Sequence, residues 1–581
     1  MCGIAGIVRF DGGAAAQLGR ARAMRGRLRH RGPDGEGELV DPYAVLQHTR
    51  LALLDREGGA QPMTTPDGRF SIVYNGEVYN HAELRAELRY PFRTRCDAET
   101  VLAAFAAWGP ACVRRFNGMF AFFVWDHARR RGFLARDPLG VKPLAYAWDG
   151  VELVFASEAH AVAHSLRSRV GADVDAVLEY LIAPCFSGVA RSMFAGVDYL
   201  QPGHTLEVAV DGVQIQRYFR FEVAQGGEAP APEAVRAALQ RAVGRACVAE
   251  APIGVFLSGG LDSSAVAAFA AAALPDPPPA YTIAFDGMDA FDYAHSTIVV
   301  SDDSPFATRA AAASGLPLTR VQAPRAELAA DLERIARHND ALPAWEQEVA
   351  QDRLARAAAG AVKAVLVGDA ADETHFGYHF LLDAAATASP AAILRRFGQV
   401  PVRREVLADP LAAFTERYRA WMRPTDSPAA RIAGTTSLIV ERWLPRLLHN
   451  GDVHTMRAGL EARVPFADVE LLALAAAVPP ATGLAGGVEK ARLRAALRGV
   501  LPEEIRLRRK SALPKDQGAA AVLQREASRL LADPPALVRM LVDLPALAPL
   551  TEPRRTLAEW ERAALFRVVC LGHFGHHHGL A

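Results

Sequence analysis

The chain has few cysteines, no long apolar run and no net charge, and each of these absences excludes a class of protein. Its six cysteines fall outside any CxxC spacing, so neither a disulfide framework nor a zinc site is predicted. No apolar run reaches the roughly 18 residues of a membrane span, and no basic segment followed by an apolar run opens the chain. Neither charge sign is in excess, since Lys+Arg and Asp+Glu both number 65. We therefore expect a cytoplasmic protein without a nucleic-acid or membrane partner.

A turn rich in glycine and serine is the strongest local feature. Residues 254–264, GVFLSGGLDSS, predict a buried strand to Leu257, a tight loop, and a helix that begins near Ser263. The glycines allow close backbone approach, and the unpaired N–H groups at the helix start suit a phosphate chain. Asp262 adds a carboxylate, which beside phosphates indicates Mg²⁺. The segment does not match a Walker A loop, and an ordinary strand-to-helix turn is the alternative.

The amino terminus carries a second feature. Removal of Met1 would leave Cys2 with a thiol and a free α-amine. The ordinary pKa of an α-amine, about 8, lets it serve as the base for its own residue's nucleophile. Gly3 permits close approach of the backbone behind Cys2, and the apolar residues 4–8 would anchor this end in a sheet. A cysteine placed second by chance is the alternative, against which the later motifs argue.

Several motifs in order carry a family resemblance. SGGLDSS resembles the pyrophosphate-binding loop of ATP pyrophosphatases that adenylate a carboxylate, within them the asparagine-synthetase type of glutamine-dependent amidotransferase. Residues 368–373, GDAADE, resemble that family's GDGADE. LEARVPF at 460–466 and LPEEI at 501–505 are also similar to family segments. The departures from the family's GDGADELFGGY are Ala370, Thr374, His375 and Phe376. The resemblance covers residues 1 to about 515.

In the second half, the resemblance implies an ATP site with a metal. The residues matched to ATP binding are Leu257, Ser258, Gly259, Gly260, Asp262, Ser263, Ser264, Ile283 and Gly368. Asp262 and Asp372 would hold Mg²⁺, and Asp369 would lie near the reacting carboxylate or the incoming nitrogen. Lys510 would steady the phosphates and the acyl-adenylate oxyanion. The alternatives are a helix cap for the acidic cluster and a solvated basic helix face for residues 506–510.

In the first half, the resemblance implies a glutaminase site built around Cys2. Residues 29–34, RHRGPD, and 73–80, VYNGEVYN, resemble the family's RGPD and NGEIYN segments. By that match, Asn75 and the Gly76 N–H form an oxyanion hole, although Asn-Gly is also a strong hairpin-turn signal. The residues matched to glutamine binding are Arg50, Asn75, Gly76, Glu77 and Asp97, with Arg50 on the α-carboxylate and Asp97 on the α-ammonium. No catalytic role is expected for Arg136, Asp137 or Lys142.

Element patterns predict an α/β chain of two domains, since 581 residues exceed one ordinary core. Short alternating strands, with helices near 82–89 and 98–108, predict a layered sandwich, and the resemblance implies the αββα N-terminal-nucleophile glutaminase fold over residues 2–205. Residues 206–233 are predicted to be a linker, because 222–233 are rich in Gly, Pro and Ala. Strands at 280–285 and 362–367, separated by helices, predict a doubly wound parallel sheet over 234–581. The histidine-rich end, 573–578, is expected to be an exposed, mobile tail rather than a metal site.

The resemblance implies a glutamine-dependent amide synthetase that uses ATP and Mg²⁺ and joins ammonia to an adenylated carboxylate. Aspartate is the first choice of acceptor. A peptide or secondary-metabolite carboxylate is the second, because Asp340 and Pro343 lie out of the family's register and Trp345 is added. A bare glutaminase or a non-catalytic scaffold is the alternative from another class, and Cys2, Asp262 and Asp372 argue against the scaffold. The partners are small molecules, and a homodimer is left open.

Overall fold

The computed structural model describes residues 2–168, 170–286, 288, 301–511, 516, 518–553 and 555–580. The strands are β1 (Cys2–Arg9), β2 (Gly35–Val40), β3 (Ala44–Arg50), β4 (Met63–Thr64), β5 (Phe70–Val78), β6 (Gly118–Asp126), β7 (Arg131–Arg136), β8 (Ala145–Trp148), β9 (Glu152–Ala156), β10 (Asp198–Tyr199), β11 (His204–Ala209), β12 (Gly212–Arg217), β13 (Ile253–Phe256), β14 (Ala280–Phe285), β15 (Leu318–Ala323), β16 (Ala364–Leu366) and β17 (Glu461–Arg463).

The α-helices follow in the same order of the chain. They are α1 (Leu18–Arg27), α2 (His81–Glu87), α3 (Asp97–Trp108), α4 (Ala159–Ala163), α5 (Val174–Ile182), α6 (Pro232–Ala246), α7 (Leu261–Ala273), α8 (Ser304–Ser314), α9 (Leu328–His338), α10 (Gln347–Ala358), α11 (Ala371–Thr374), α12 (Pro390–Arg395), α13 (Pro410–Tyr418), α14 (Pro428–Leu438), α15 (Leu444–Arg457), α16 (Val469–Ala476), α17 (Pro480–Gly483), α18 (Ala491–Ala496), α19 (Glu503–Arg506), α20 (Ala519–Ala532), α21 (Ala536–Leu541), α22 (Leu544–Leu547) and α23 (Glu559–His578).

Two six-stranded antiparallel sheets form the first part of the chain, in the orders β10-β8-β9-β1-β3-β2 and β12-β11-β7-β6-β5-β4. Successive side chains of a strand point to opposite faces, and β1 shows this directly. Ile4 and Val8 pack between the two sheets with Phe123 of β6. On the other face of β1, Ile7 packs against Met24 of α1.

The second sheet has the same two-sided packing. Phe133 of β7 packs with Phe105 of α3 on the face that points away from the first sheet. The layers are therefore helix, sheet, sheet, helix, and the predicted αββα sandwich is confirmed.

The second part is built on a five-stranded parallel sheet in the order β15-β14-β13-β16-β17. The chain runs outward from β13 through β14 to β15, then returns to the other side of β13 as β16 and β17. Because crossovers between parallel strands are right-handed, this reversal puts helices on both faces. The doubly wound sheet is confirmed. Its reversal point, between β13 and β16, is where ligands bind in such sheets.

Two expectations from the sequence differ from the structure. Strands β11 and β12 belong to the second antiparallel sheet, so the predicted linker from residue 206 contains ordered strands up to Arg217. The histidine-rich end is not a mobile tail, because residues 573–578 complete α23 and Phe574 is fully buried. Its last turn packs on the first part of the chain, with the His578 ring 5.1 Å from that of Phe194.

No single helix among the residues described has both the length and the apolar character for crossing a membrane. One pair of helical segments bent by 102°, Val469–Ala476 and Pro480–Gly487, meets that test by length and composition alone.

Candidate active sites

Cys2 begins β1, a strand held between β3 and β9, and its register pairs it with Arg50. The residue is buried, and burial raises the pKa of its thiol above the ordinary value. A protonated thiol needs a base beside it, and the Cys2 amino nitrogen is the nearest group on the same residue. That nitrogen donates to Asn75 Oδ1 at 3.0 Å. The predicted removal of Met1 concerns a residue outside those described.

Asn75 lies in the middle of β5, where it pairs with Ala121 of β6, so Asn75-Gly76 is not a hairpin turn. Because Oδ1 accepts from Cys2, the amide is oriented with Nδ2 on the other side. Nδ2 is buried and has no hydrogen-bond partner among the described residues. An unpartnered buried donor is costly, and one beside a nucleophile suits a developing oxyanion. Gly76 is required by close packing, since a Cβ there would lie 2.2 Å from Met119 O.

The charged residues predicted to bind glutamine surround this strand but contact different partners. Arg50 donates to the carbonyl oxygens of Asp55 and Arg56, at 2.6 and 2.7 Å. Asp97 Oδ2 accepts from the Tyr74 hydroxyl at 2.6 Å and the Val78 N–H at 2.9 Å. Glu77 is turned toward the second part of the chain, where its Oε1 lies 3.1 Å from Arg463 Nη2. Burial raises the pKa of Glu77 despite that guanidinium.

Arg136 and Asp137, for which no catalytic role is expected, hold the backbone of the turn that follows β7. Arg136 donates to the carbonyl oxygens of Gly140, Lys142 and Leu200, and Asp137 accepts from the N–H groups of Leu139, Val141 and Lys142. Lys142 has a further contact across to α15, described below.

The glycine- and serine-rich turn joins β13 to α7 as predicted. Gly259 has φ +71°, and a Cβ there would lie 2.3 Å from the backbone of Phe306, so glycine is needed twice over. The loop is held by hydroxyls: Ser258 N–H donates to Ser263 Oγ at 3.2 Å, and the two hydroxyls are 3.0 Å apart. Ser264 Oγ is buried without a partner in the part of the chain that the structure describes.

The two motifs of the second part meet at the reversal point of the sheet. Gly368 follows β16, and a Cβ there would lie 2.8 Å from Ser263 N, so the GDAADE loop and the start of α7 touch. Leu257 donates its N–H to Tyr281 O at 2.9 Å, and with Ile283 of β14 it is buried under the loop. The residues predicted for ATP binding therefore lie in the carboxyl-terminal halves of β13, β14 and β16, in the loops beyond them or in the first turn of α7.

Two lysines and two aspartates form an alternating cluster beyond this edge. Lys490 Nζ lies 2.5 Å from Asp262 Oδ2 and 2.5 Å from Asp372 Oδ1, and Lys510 Nζ lies 2.5 Å from Asp372 Oδ2. Burial acts to raise the pKa of Asp372, but the two lysines outweigh it and lower the pKa to about 2. For Asp262, burial dominates over Lys490 and the pKa is raised.

Lys490 was not found from the sequence. It precedes α18 in a left-handed backbone conformation, with φ +57°, and no motif singles it out. Gly377 leaves room for it, since a Cβ there would lie 2.4 Å from Lys490 Cε. The charge of the predicted site could have indicated it, because Asp262 and Asp372 were predicted there with one lysine, Lys510, to balance two carboxylates.

The acidic pair fits a divalent cation. Asp262 Oδ1 is buried and has no hydrogen-bond partner within the described ranges. The carboxylate of Asp372 is the second candidate ligand, and it lies on the other side of the Lys490 ammonium from Asp262. Carboxylate oxygens beside phosphates are the ligands that Mg²⁺ prefers. Burial raises the pKa of Asp369 to about 6, although the positive charge of Lys510 acts to lower it.

The departures from GDGADELFGGY have a backbone consequence. Ala370 and Phe376 have φ values of +73° and +58°, in the region that favours glycine. A left-handed conformation costs a residue with a Cβ about 1 kcal/mol or more. The ring of Phe376 fills the space beside Gly483, where a Cβ would lie 2.3 Å from its Cδ2. These changes alter the support of the loop and leave Asp369 and Asp372 in place.

The segment that suggested a different acceptor packs against the first part of the chain and against α15. Asp340 accepts from the N–H groups of Ala159 and His160, so it holds the start of α4 in the first part of the chain. The carbonyl of Pro343 accepts from the Tyr180 hydroxyl, and Trp345 packs 6.1 Å from Trp443.

The basic segment 506–510 is not a solvated helix face. Its helical part is confined to Glu503–Arg506, and Arg508 is buried against Asp303.

The fold and these two centres place the chain in the class of glutamine amidotransferases that pair an amino-terminal cysteine with a nucleotide-using synthetase part. A family model described as a glutamine amidotransferase domain matches residues 1–219, and one described as asparagine synthase matches residues 234–569. The second match covers more than half of the chain, which belongs to the asparagine synthase family.

Curated relatives agree with that assignment. "Asparagine synthetase [glutamine-hydrolyzing] 3" of Bacillus subtilis is 32% identical over 550 residues, covering 89% of this chain and 87% of the relative. "Asparagine synthetase [glutamine-hydrolyzing] 1" of the same organism is 28% identical over 569 residues, covering 88% and 87%. A putative asparagine synthetase [glutamine-hydrolyzing] of Mycobacterium tuberculosis is 29% identical over 591 residues, with the same coverage.

Proposed function

We propose that this chain is a glutamine-hydrolysing, ATP-dependent asparagine synthetase. The observation that carries the proposal is that one chain holds two buried centres, each with a polar atom that has no hydrogen-bond partner among the described residues and is suited to a reacting group. These atoms are Asn75 Nδ2 beside Cys2 and Asp262 Oδ1 beside the phosphate loop. The family membership supplies the pairing of glutamine with an aspartate acceptor.

At the first centre, Cys2 Sγ attacks the side-chain carbonyl carbon of glutamine while the Cys2 α-amine takes the thiol proton. Asn75 Nδ2 and the Gly76 N–H stabilise the oxyanion, and the same amine returns its proton to the leaving nitrogen. The carbon–nitrogen bond breaks, ammonia leaves, and water hydrolyses the thioester to glutamate. Arg50, Glu77 and Asp97 position the substrate.

At the second centre, an oxygen of the aspartate side-chain carboxylate attacks the α-phosphorus of ATP and pyrophosphate leaves. The N–H groups and hydroxyls of Ser258–Ser264, with Lys490 and Lys510, bind the phosphates. Ammonia then attacks the acyl carbon, AMP leaves, and Asp369 takes the surplus proton. Asp262 and Asp372 would hold Mg²⁺, which when bound supplies neutralisation of phosphate charge. A closed route for ammonia matters because bulk ammonium is not nucleophilic.

The domain division and the setting are also proposals. The absence of strand or helix between Arg217 and Pro232 supports a division there, later than the boundary predicted from sequence. The balanced charge supports a cytoplasmic enzyme without nucleic-acid or membrane partners, and a homodimer stays a prediction.

Exchange of labelled pyrophosphate into ATP tests the acceptor. We expect exchange with aspartate, and with Mg²⁺ required. Exchange only with another carboxylic acid would point to a peptide or secondary-metabolite acceptor. Intact glutaminase activity without exchange on any acid would leave a bare glutaminase.

The variant Cys2→Ala tests the division of labour. Glutamine-dependent synthesis should disappear, because the nucleophile is gone, while synthesis from added ammonia should persist. Equal loss of both activities would contradict two separate centres.

A further inference from the structure

Helix α15 touches both centres with neighbouring residues. Gly451 faces the synthetase centre, since a Cβ built on it would lie 3.7 Å from Asp369 Oδ2. Asp452, the next residue, faces the glutaminase centre, and its Oδ2 accepts from Arg31 Nη2 at 2.6 Å. Arg31 in turn donates from Nε to the Cys2 carbonyl oxygen at 3.2 Å. One ion pair and one hydrogen bond therefore join the nucleophile's backbone to the helix behind Asp369.

The ion pair of Arg31 and Asp452 is buried, so water cannot take the place of either partner. The side chains of Arg31 and Asp452 are 0% and 1% exposed. Asp452 Oδ1 also lies 3.4 Å from Lys142 Nζ, whose side chain is fully buried, and Arg31 Nη1 donates to Glu158 Oε1 at 2.8 Å. Removing one member of such a network leaves a buried charge unpaired, which is far costlier than loss of a surface pair. Asp452 therefore strongly determines the position of Arg31 relative to α15.

We propose that Asp452 is a positioning residue that couples the two centres, holding α15 in register with the Cys2 strand so that ammonia released at Cys2 is consumed at the adenylate. This rests on the proposed function. Asp452 contacts the backbone-holding Arg31 rather than a reacting atom, so its effect is expected on the transfer of nitrogen rather than on either chemical step.

The variant Asp452→Asn keeps the shape and removes the charge. With glutamine as nitrogen source, wild type should form glutamate and asparagine in equal amounts, whereas the variant should form glutamate in about tenfold or greater excess, as for a small misplacement of reacting groups. Its kcat for synthesis from saturating ammonia should stay within about twofold of wild type, because the ATP-binding residues are untouched.

Asp468→Asn is the matched control. Asp468 is equally buried and also crosses between the two parts, with Oδ2 accepting from Asn117 Nδ2 at 2.8 Å, but within the described part of the chain its hydrogen bonds reach neither centre. It should lower stability without changing the product ratio. An Asp452→Asn enzyme with an unchanged ratio, or with all activities reduced in parallel as in the control, would overturn the proposal.

Two further measurements keep the test decisive. If Asp452→Asn does not fold, Arg31→Lys replaces it: the variant keeps the positive charge but cannot bond Cys2 O, Glu158 and Asp452 together, and it should raise the ratio of glutamate to asparagine. Asp452→Glu keeps the carboxylate and should restore part of the coupling. If wild type makes no asparagine from glutamine or ammonia, the proposed function fails. If wild type is coupled and both variants stay coupled, only the role of Asp452 fails.

Discussion

Replacement of Lys490 by alanine tests the synthetase centre most sharply. The ammonium lies 2.5 Å from one oxygen of Asp262 and 2.5 Å from one of Asp372, and its side chain is 3% exposed. Without it, two buried carboxylates would face each other, and Lys510 would be the lysine left in the cluster. Each charged contact contributes about 1.5–3 kcal/mol, and breaking a buried pair typically costs 3–5 kcal/mol.

We expect Lys490→Ala to lower aspartate-dependent pyrophosphate exchange about 100-fold or more, since each decade corresponds to about 1.4 kcal/mol. Glutaminase activity at Cys2 should be retained, because the Lys490 ammonium binds the carboxylates of the second centre. Lys363→Ala is the control: it loses an ion pair to Asp34, 2.7 Å long, away from the phosphate loop. Exchange in Lys490→Ala within threefold of the control, about 0.7 kcal/mol, would refute the reasoning.

The same variant has an acid signature. The pKa of Asp372, lowered from 3.8 to about 2, gives stability that is present above about pH 4 and lost as pH falls through 2. This corresponds to about 2 kcal/mol. Lys490→Ala should therefore begin to unfold at a higher pH than wild type, as followed by circular dichroism. Coincident acid transitions would contradict the lysine's role.

Two other changes test one centre each. Asn75→Ala should lower kcat for glutamine hydrolysis about 100-fold or more, because we propose the buried Nδ2 as the side-chain oxyanion donor, while synthesis from ammonia should be unchanged; a change confined to KM would argue against that role. Asp369→Asn should abolish synthesis yet raise the melting temperature at pH 7, since burial raises the pKa of Asp369 from 3.8 to about 6 and stability is lost as pH rises across that window. The gain, at most about 3 kcal/mol, should vanish near pH 4, and a lower melting temperature at pH 7 would contradict it.

The amino-acid sequence by itself determined the local elements and the kinds of chemistry. The β13 turn with α7, the placement of residues 4–8 in a sheet, and the strand 280–285 follow from short-range patterns and turn residues, and the structure has them within two residues of the predicted positions. The reactive types, a terminal thiol and carboxylates beside a glycine-rich loop, were likewise predicted from neighbours within a few residues. Such signals are local, so they survive without knowledge of the fold.

Only the tertiary structure decided which distant residues complete each centre. Lys490 and Asp262 are 228 residues apart in the chain, and Arg31 and Asp452 are 421 apart. No periodicity spans such separations, because these contacts arise from the reversal of strand order and from the packing of α15 between the two parts. For the same reason the last turn of α23 was predicted to be a tail: it is rich in histidine, and Phe194, on which it packs, lies far along the chain. The linker prediction was drawn from residues 222–233 and extended back too far, because β12 is ordered by pairing with β11 just before it.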